Sequence, residues 1–296
     1  MNLSFIGFGE AARAFTDSLK PMEIGAIRAY DILQAGSSRG DIGMAASTRD
    51  VALADGPIAA VEGADIVFSA VTAADSLDAA KSVLAGLRAG QTFIDINSVS
   101  GDRKRETADL VRSTGAAYID MAVMAPVHPR GHRTPVLVAG DIADDVRDFL
   151  IRFDFDFQEV DGGVGTATSI KMVRSLFVKG LEAVTVQSLM AAEAAGCYDR
   201  VYGSLAASFT KLGWPEFPNY QFERVTRHGR RRAAEMRESA VEMRNLGFPA
   251  GGDLADAIAA VQDMVAFHGA AVPADAKSAT AVQHILHSLR VTKPQG

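Results

Sequence analysis

The stretch FIGFGEAARAF, Phe5 to Phe15, puts the tightest constraint on how this chain can fold. A short apolar run, Leu3 to Ile6, stops at Gly7, and Ala11, Ala12, Ala14, Phe15 and Leu19 then recur as one face of a helix. Strand, glycine turn and helix in that order open a dinucleotide-binding βαβ unit. Gly7 permits the tight turn, Gly9 lets backbone approach a pyrophosphate, and Ala12 keeps the helix close to the strand. The backbone N–H groups from Phe8 through Glu10 and Ala11 then face the phosphates. A second apolar run, IGAIRAYDI, carries Asp31 at its end. That is about 20 residues past the cluster, where such a unit keeps an acid for the ribose hydroxyls. A solvated strand end is the other reading of Asp31.

The alternation continues through ADIVFSAV (64–71), an alanine-rich helix to about Leu87, QTFIDINS (91–98) and a polar helix from about Gly101. AAYIDMAV, TPVLVAG and FQEV read as three further strands, with a helix from about Ala143 to Phe153. The series predicts an α/β Rossmann-type domain over residues 1–160, with a parallel, doubly wound sheet. Its strand ends near 70–73 and 97–100 open onto the cofactor crevice, which makes Val71, Thr72 and Asn97 candidate cofactor contacts and Ser98 a candidate substrate contact. From Gly163 to about Ala195 no proline interrupts a stretch in which Ile170, Val173, Leu176, Phe177, Leu181 and Val184 keep helical spacing. Segments near 199–212, 218–246, 253–268 and 275–290 are helical as well, so residues 161–296 form an all-α substrate and dimerisation domain. The tail VTKPQG reads as unstructured.

With 296 residues, two domains are expected. A net charge of -6 disfavours nucleic acid, and no apolar run approaches the roughly 20 residues of a membrane span. The single cysteine, Cys197, excludes an intrachain disulfide. Together with an amino terminus that does not read as a secretory signal, it points to the cytoplasm.

The GxGxxA turn, the DMAVMAPV loop and GGVGTATSIKMVRS at the start of a long helix resemble the β-hydroxyacid dehydrogenase family, which includes 6-phosphogluconate and 3-hydroxyisobutyrate dehydrogenases. The resemblance covers roughly the first 195 residues. The remainder is similar to a poorly characterised helical domain of some relatives. It implies a nicotinamide cofactor, NAD or NADP, a small-molecule substrate and Lys171 as catalytic acid/base. Such a lysine accepts the hydroxyl proton as hydride leaves the carbinol carbon, a role that calls for an amine whose pKa burial and a neighbouring cation have lowered. Arg174 and Ser175 stand at i+3 and i+4 on the same face. Without the resemblance, Lys171 reads sooner as a lysine snorkelling from an amphipathic helix, the fate of most lysines.

Two positions depart from the family. Arg174 and Ser175 stand where Asn, or His then Asn, is usual, and Met124, Ala125 and Pro126 replace the Ser-Gly-Gly of the substrate loop. Arg174 can clamp an anionic group or pair with a nearby carboxylate. His128, Arg130, His132 and Arg133 crowd HPRGHRTP without the partners of a metal site, and read as mobile loop residues. The run RHGRRR, Arg227 to Arg232 with His228, either completes an anion pocket or coats a helix face, where Glu235 pairs at helical spacing with Arg231 and Arg232. Met236, Ala240, Met243 and Leu246 read as core. The expected activity is an NAD(P)-dependent interconversion of an alcohol and a carbonyl on a small, anionic hydroxy acid by a homodimer, with NAD favoured by Asp31 and NADP left open by Ser37, Ser38 and Arg39. An imine reductase and a non-catalytic dinucleotide sensor are the alternatives.

Overall fold

The computed structural model describes residues 1–22 and 24–292. The chain divides into two compact units, Met1–Met172 and Val173–Gly296.

The first unit is built on an eight-stranded sheet. Its strands are β1 (Leu3–Ile6), β2 (Ile27–Tyr30), β3 (Ala52–Leu53), β4 (Ile66–Ser69), β5 (Thr92–Asp95), β6 (Ala117–Val123), β7 (Val136–Gly140) and β8 (Phe157–Glu159). They lie in the order β3-β2-β1-β4-β5-β6-β7-β8. Helices α1 (Glu10–Leu19), α2 (Arg39–Ser47), α3 (Pro57–Val61), α4 (Ser76–Val83), α5 (Gly101–Arg112) and α6 (Asp144–Arg152) connect them. All pairings are parallel except β6 with β7, which is antiparallel. The parallel, doubly wound sheet expected from the sequence is thus mostly parallel, with one antiparallel pair where residues 124–135 return as a loop without the crossover helix that a parallel neighbour needs. The order reverses between β1 and β4, which opens a crevice at their carboxyl ends.

Every residue of β1, β4 and β5 is buried, so their apolar runs are covered on both faces. On one face Phe5 stacks on Phe68 at 5.2 Å between ring centroids, and Phe15, Phe149 and Phe155 pack round the same ring. On the other, Phe93 stacks on Tyr118 among Val67, Val83 and Val111.

His132 corrects the picture of a mobile loop. It is fully buried, with Nε2 2.7 Å from the Phe153 carbonyl, to which it donates, and Nδ1 2.7 Å from Ser18 Oγ. Arg133 and Arg130 pair with Asp154 and Asp156, so the loop is tied down on three sides.

Helix α7 (Thr166–Ala194) starts in the first unit and continues into the second, which adds α8 (Tyr198–Ser208), α9 (Glu216–Asn245), α10 (Pro249–His268) and α11 (Ser278–Thr292). Of the segment VTKPQG, residues 293–296 lie outside the described residues. Helices α9 and α10 form a hairpin so close that a Cβ at Gly229 would lie 2.5 Å from the Gln262 carbonyl oxygen. Val186, Leu189, Phe222, Val225, Val265, Val282 and Ile285 fill the core of this unit. The long helix expected from the spacing of Ile170, Val173, Leu176, Phe177, Leu181 and Val184 is α7, on which Ile170, Val173, Phe177 and Val184 are 41–74% exposed. Two expectations change. Leu246 is half exposed at the end of α9, while Met236 and Ala240 are core. Arg232 is buried and pairs with Glu182 instead of Glu235.

Burial, as the leading cause, holds the His132 imidazole below its ordinary 6.5. A depressed folded value means that its contribution to stability is complete above 6.5 and is lost as pH falls through the lower folded value. The urea midpoint should therefore drop more steeply between pH 7 and 5 in the wild type than in His132→Leu, and equal slopes would contradict this.

Candidate functional site

At the end of β1 the chain turns at Gly7, whose φ is +86°. A Cβ there would sit 2.4 Å from the Ala70 carbonyl oxygen and 2.7 Å from Val71 Cγ1, so the turn is pressed against the end of β4. At Gly9, the amino cap of α1, a Cβ would meet nothing within 4 Å, and this is open room beside the helix start. The first intrahelical bond runs from Arg13 N to Gly9 O (3.0 Å), so the N–H groups of Glu10, Ala11 and Ala12 precede the helical ladder. Phe8 is fully buried, and its N–H donates to Asp31 Oδ2 at 2.8 Å. Asp31 follows β2 directly and also accepts the Leu33 N–H at 2.9 Å, capping a short 3-10 turn over Ile32–Ala35. Each carboxylate oxygen keeps a further lone pair for a ligand hydroxyl. The glycine turn, the free helix start and the strand-end acid fit a dinucleotide.

Contacts continue along the carboxyl edge of the sheet. Val71 N donates to Asn97 Oδ1 at 2.7 Å, while Asn97 Nδ2 donates to Ser69 Oγ at 2.9 Å. Asn97 therefore pins the β4 end to the β5 end, and exposed Thr72 hydrogen-bonds Asp75 at 2.5 Å. The next residue, Ser98, meets Lys171: Nζ and Oγ are 2.6 Å apart. Gly7, Val71, Asn97, Ser98 and Lys171 thus form one connected line across β1, β4 and β5. Met124 packs half-buried beside Ala122, Ala139 and Ala167, the last one turn before Lys171, and Ala125 is exposed.

Beneath that line lies a buried charge cluster that the sequence reading missed. Asp95 and Asp120 are register partners in β5 and β6, and the fully buried Lys104 of α5 reaches both, at 3.0 Å and 3.4 Å. Lys104 Nζ also donates to the Asp95 carbonyl (2.6 Å), and the Tyr118 hydroxyl donates to Asp95 Oδ2 (2.7 Å). Asp120 Oδ2 accepts the N–H groups of Gly165 and Thr168 at the start of α7, each at 3.1 Å. Its Oδ1 has the ammonium at ion-pair distance but no aligned hydrogen bond. Burial raises the Asp120 carboxyl, with Lys104 and the Thr168 N–H opposing, and burial next to Asp95 holds the Tyr118 phenol well above its ordinary value. A signal did exist: Gly101, Lys104, Thr107, Ala108 and Val111 make the buried face of α5, so helical spacing puts this lysine among small and apolar residues.

Arg174, Ser175 and His228 belong to the second unit. Arg174 is exposed and makes no ion pair with any described carboxylate. Ser175 is buried and accepts from Lys179 Nζ (3.2 Å), which pairs with Glu235 (2.8 Å); burial lowers the Lys179 ammonium against the pull of Glu235. His228 is half-buried beside Arg227, which donates to the Val272 carbonyl at 2.7 Å. Arg231 pairs with Glu235, while Arg232 and Gln262 both reach the buried Glu182. The basic run is thus split between a solvated face and the interior. Among the described residues no group of three or more His, Cys, Asp or Glu is placed to hold a metal ion, and no helix is long and apolar enough to cross a membrane.

Residues 28–144 match the NAD binding domain of 6-phosphogluconate dehydrogenase. The chain carries a nicotinamide-dinucleotide-binding domain of that type. Residues 192–265 of its helical unit match a domain of unknown function, DUF1932. Among solved structures the chain is similar to a conserved hypothetical protein from Sinorhizobium meliloti (28% identity, 97% of this chain and 96% of that one, TM-score 0.74). It shares its fold with Mycobacterium tuberculosis 3-hydroxyisobutyrate dehydrogenase (18% identity, 98% and 99%, TM-score 0.69). It shares it also with a reductive aminase from Aspergillus terreus in complex with NADPH and ethyl levulinate (15% identity, 88% and 98%, TM-score 0.58). An uncharacterized 28.5 kDa protein of Methanothermus fervidus is 27% identical over 141 residues, 48% of this chain. The chain spans about half the length of that curated relative, 53%.

Gly7→Ala forces a Cβ onto the Ala70 carbonyl at a backbone angle that L-residues avoid. It should weaken NADH binding by about tenfold or more, roughly 1.4 kcal/mol, in a fluorescence titration, and Gly9→Ala should weaken it too, because its Cβ fills the open room beside the helix start without straining the fold.

Proposed function

We propose that this protein is an NAD(P)-dependent oxidoreductase that interconverts an alcohol and a carbonyl on a small hydroxy-acid-like substrate, with Lys171 as acid/base. The observation that carries the proposal is the 2.6 Å pairing of Lys171 Nζ with Ser98 Oγ, at the end of the line that begins at the glycine turn. A bound nicotinamide supplies or takes the hydride. Lys171 Nζ takes the hydroxyl proton in oxidation and returns it in reduction. The Ser98 hydroxyl accepts from an ammonium and donates to a neutral amine, so it orients Nζ in both states. Arg174, three residues further along the helix and without a carboxylate partner among the described residues, supports an anionic substrate by charge-assisted bonding.

Imine reduction is the second reading, favoured by the fold shared with the Aspergillus terreus reductive aminase. There the same ammonium donates its proton to the nitrogen. A homodimer in the cytoplasm completes the proposal, and the exposed stripe Ile170, Val173, Phe177 and Val184 supports association.

Lys171→Ala should lower turnover by about two to four orders of magnitude with NAD(P)H affinity nearly intact, and Lys171→Arg should not restore it, because guanidinium stays protonated. A panel of 3-hydroxy acids, their aldehydes and cyclic imines, followed by nicotinamide absorbance, separates the readings. Near-wild-type turnover in Lys171→Ala would sink both.

For the cofactor, Asp31 supports NAD: its carboxylate stands where ribose hydroxyls donate and where a 2'-phosphate is repelled. Asp31→Ala should shift the preference toward NADP. Tighter NADPH than NADH binding in the wild type, lost in Arg39→Ala, would reverse the assignment in favour of Ser37, Ser38 and Arg39.

A further inference from the structure

The glycine-rich entry to α7 cannot cap its own helix. Gly162, Gly163 and Gly165 have positive φ, and Gly165, which immediately precedes Thr166, has no side chain to offer the first-turn N–H groups. Glycine is needed there because a Cβ would lie 2.4 Å from Arg105 Nη1 and 2.9 Å from the Gly101 carbonyl oxygen. The N–H groups left open are those of the cap residue and of the third helical residue, the pair that a capping box satisfies within its own chain segment. Here Asp120 Oδ2 takes both, from a strand 45 and 48 residues earlier in sequence. A second tie, from Thr168 Oγ1 to the Val99 carbonyl at 2.7 Å, fixes the same turn to the segment that carries Ser98. Lys171 lies three residues beyond Thr168, so the direction of α7 at its first turn sets where Nζ falls. Asp120 is itself held: Lys104 stands between it and Asp95, and all three side chains are buried.

We propose that Asp120 is a positioning residue for Lys171, capping α7 from outside the helix and so keeping Nζ against Ser98. The inference rests on Lys171 being the acid/base, and it adds a requirement: the acceptor oxygen matters, more than the charge. Asp120→Asn retains an acceptor for both N–H groups, whereas Asp120→Leu keeps the branch at Cγ and offers none.

Trace acylation with acetic anhydride, read at Lys171 relative to exposed Lys211 by peptide mass spectrometry, reports the seating of Nζ without any substrate. Asp120→Leu should raise relative labelling of Lys171 by about threefold or more. It should also lower kcat by about tenfold or more, with NAD(P)H affinity and the KM for cofactor within about twofold, because misplacement of a reacting group is felt in the chemical step. Asp120→Asn should stay within about threefold of wild type on both measures. Unchanged labelling in Asp120→Leu overturns the proposal, as does an Asn variant as impaired as the Leu variant, or a loss of cofactor binding that parallels the loss of kcat. If Asp120→Leu does not fold, Thr168→Val takes its place: a smaller rise in Lys171 labelling supports the positioning of the turn, and none overturns it. Turnover that survives Lys171→Ala while labelling still responds to Asp120→Leu would refute the acid/base reading and leave the positioning intact.

Discussion

A single ammonium group, that of Lys104, holds the first unit's working edge together. The register of β5 on β6 sets two carboxylates, Asp95 and Asp120, side by side with essentially no exposure. Two buried like charges repel strongly, and only a cation between them makes the arrangement tolerable. Removing one member of such a buried set costs about 3 to 5 kcal/mol, a large part of a typical domain's stability. What hangs on it is wider than the three residues. Asp95 Oδ1 also accepts the N–H of Asn97, which pins the β4 end through Val71, and Asp120 receives the start of α7. The dinucleotide turn and the lysine are therefore registered to one anchor.

The edge built on this anchor divides its labour between backbone and side chain. Under the proposed function, phosphate recognition falls to N–H groups at Glu10, Ala11 and Ala12, which need no particular side chain, only glycines small enough to let a ligand approach. Under the same proposal, discrimination and proton transfer are left to very few side chains, chiefly Asp31, Ser98 and Lys171. Each of these has a defined partner: Asp31 takes two backbone N–H groups, and Ser98 and Lys171 meet one another. Such partnering limits side-chain freedom before any ligand arrives, which is how a site becomes preorganised.

Local order was legible in the sequence and long-range chemistry was not. Gly7, Gly9, Ala12 and Asp31 lie within one βαβ unit, so spacing alone locates them. Most strands and helices follow from apolar periodicity, α9 and α10 among them, though not β3, α2 or α3. The antiparallel return of β7 depended on the lack of a helix in 124–135, a weaker signal than its presence. Lys104 was hidden because its neighbours Arg103 and Arg105 are solvated, so GDRKRET reads as uniformly polar. Asp95 and Asp120 sit inside otherwise apolar runs, TFIDI and YIDMAV, and two such acids imply a buried cation without naming it. Arg232 was misread for the same reason: its helical neighbour Glu235 lies in sequence range, while Glu182 lies 50 residues away. His132 looked like one more polar loop residue because nothing local reveals that Ser18 and Phe153 close over it.

The loop between β6 and β7 is fastened at its base and at its far side. Met124 N donates to the Pro135 carbonyl at 2.9 Å, Gly131 N donates to the Val127 carbonyl at 2.6 Å, and the buried His132 locks it to Ser18 and Phe153. Between these fastenings Ala125, Pro126, His128 and Pro129 stay exposed and contribute little to the core. The residues that keep the loop folded are thus different from those it presents to solvent. In evolutionary terms it is a tool holder with an exchangeable bit: positions 125 and 126 can drift while the sheet beneath remains indifferent to the change.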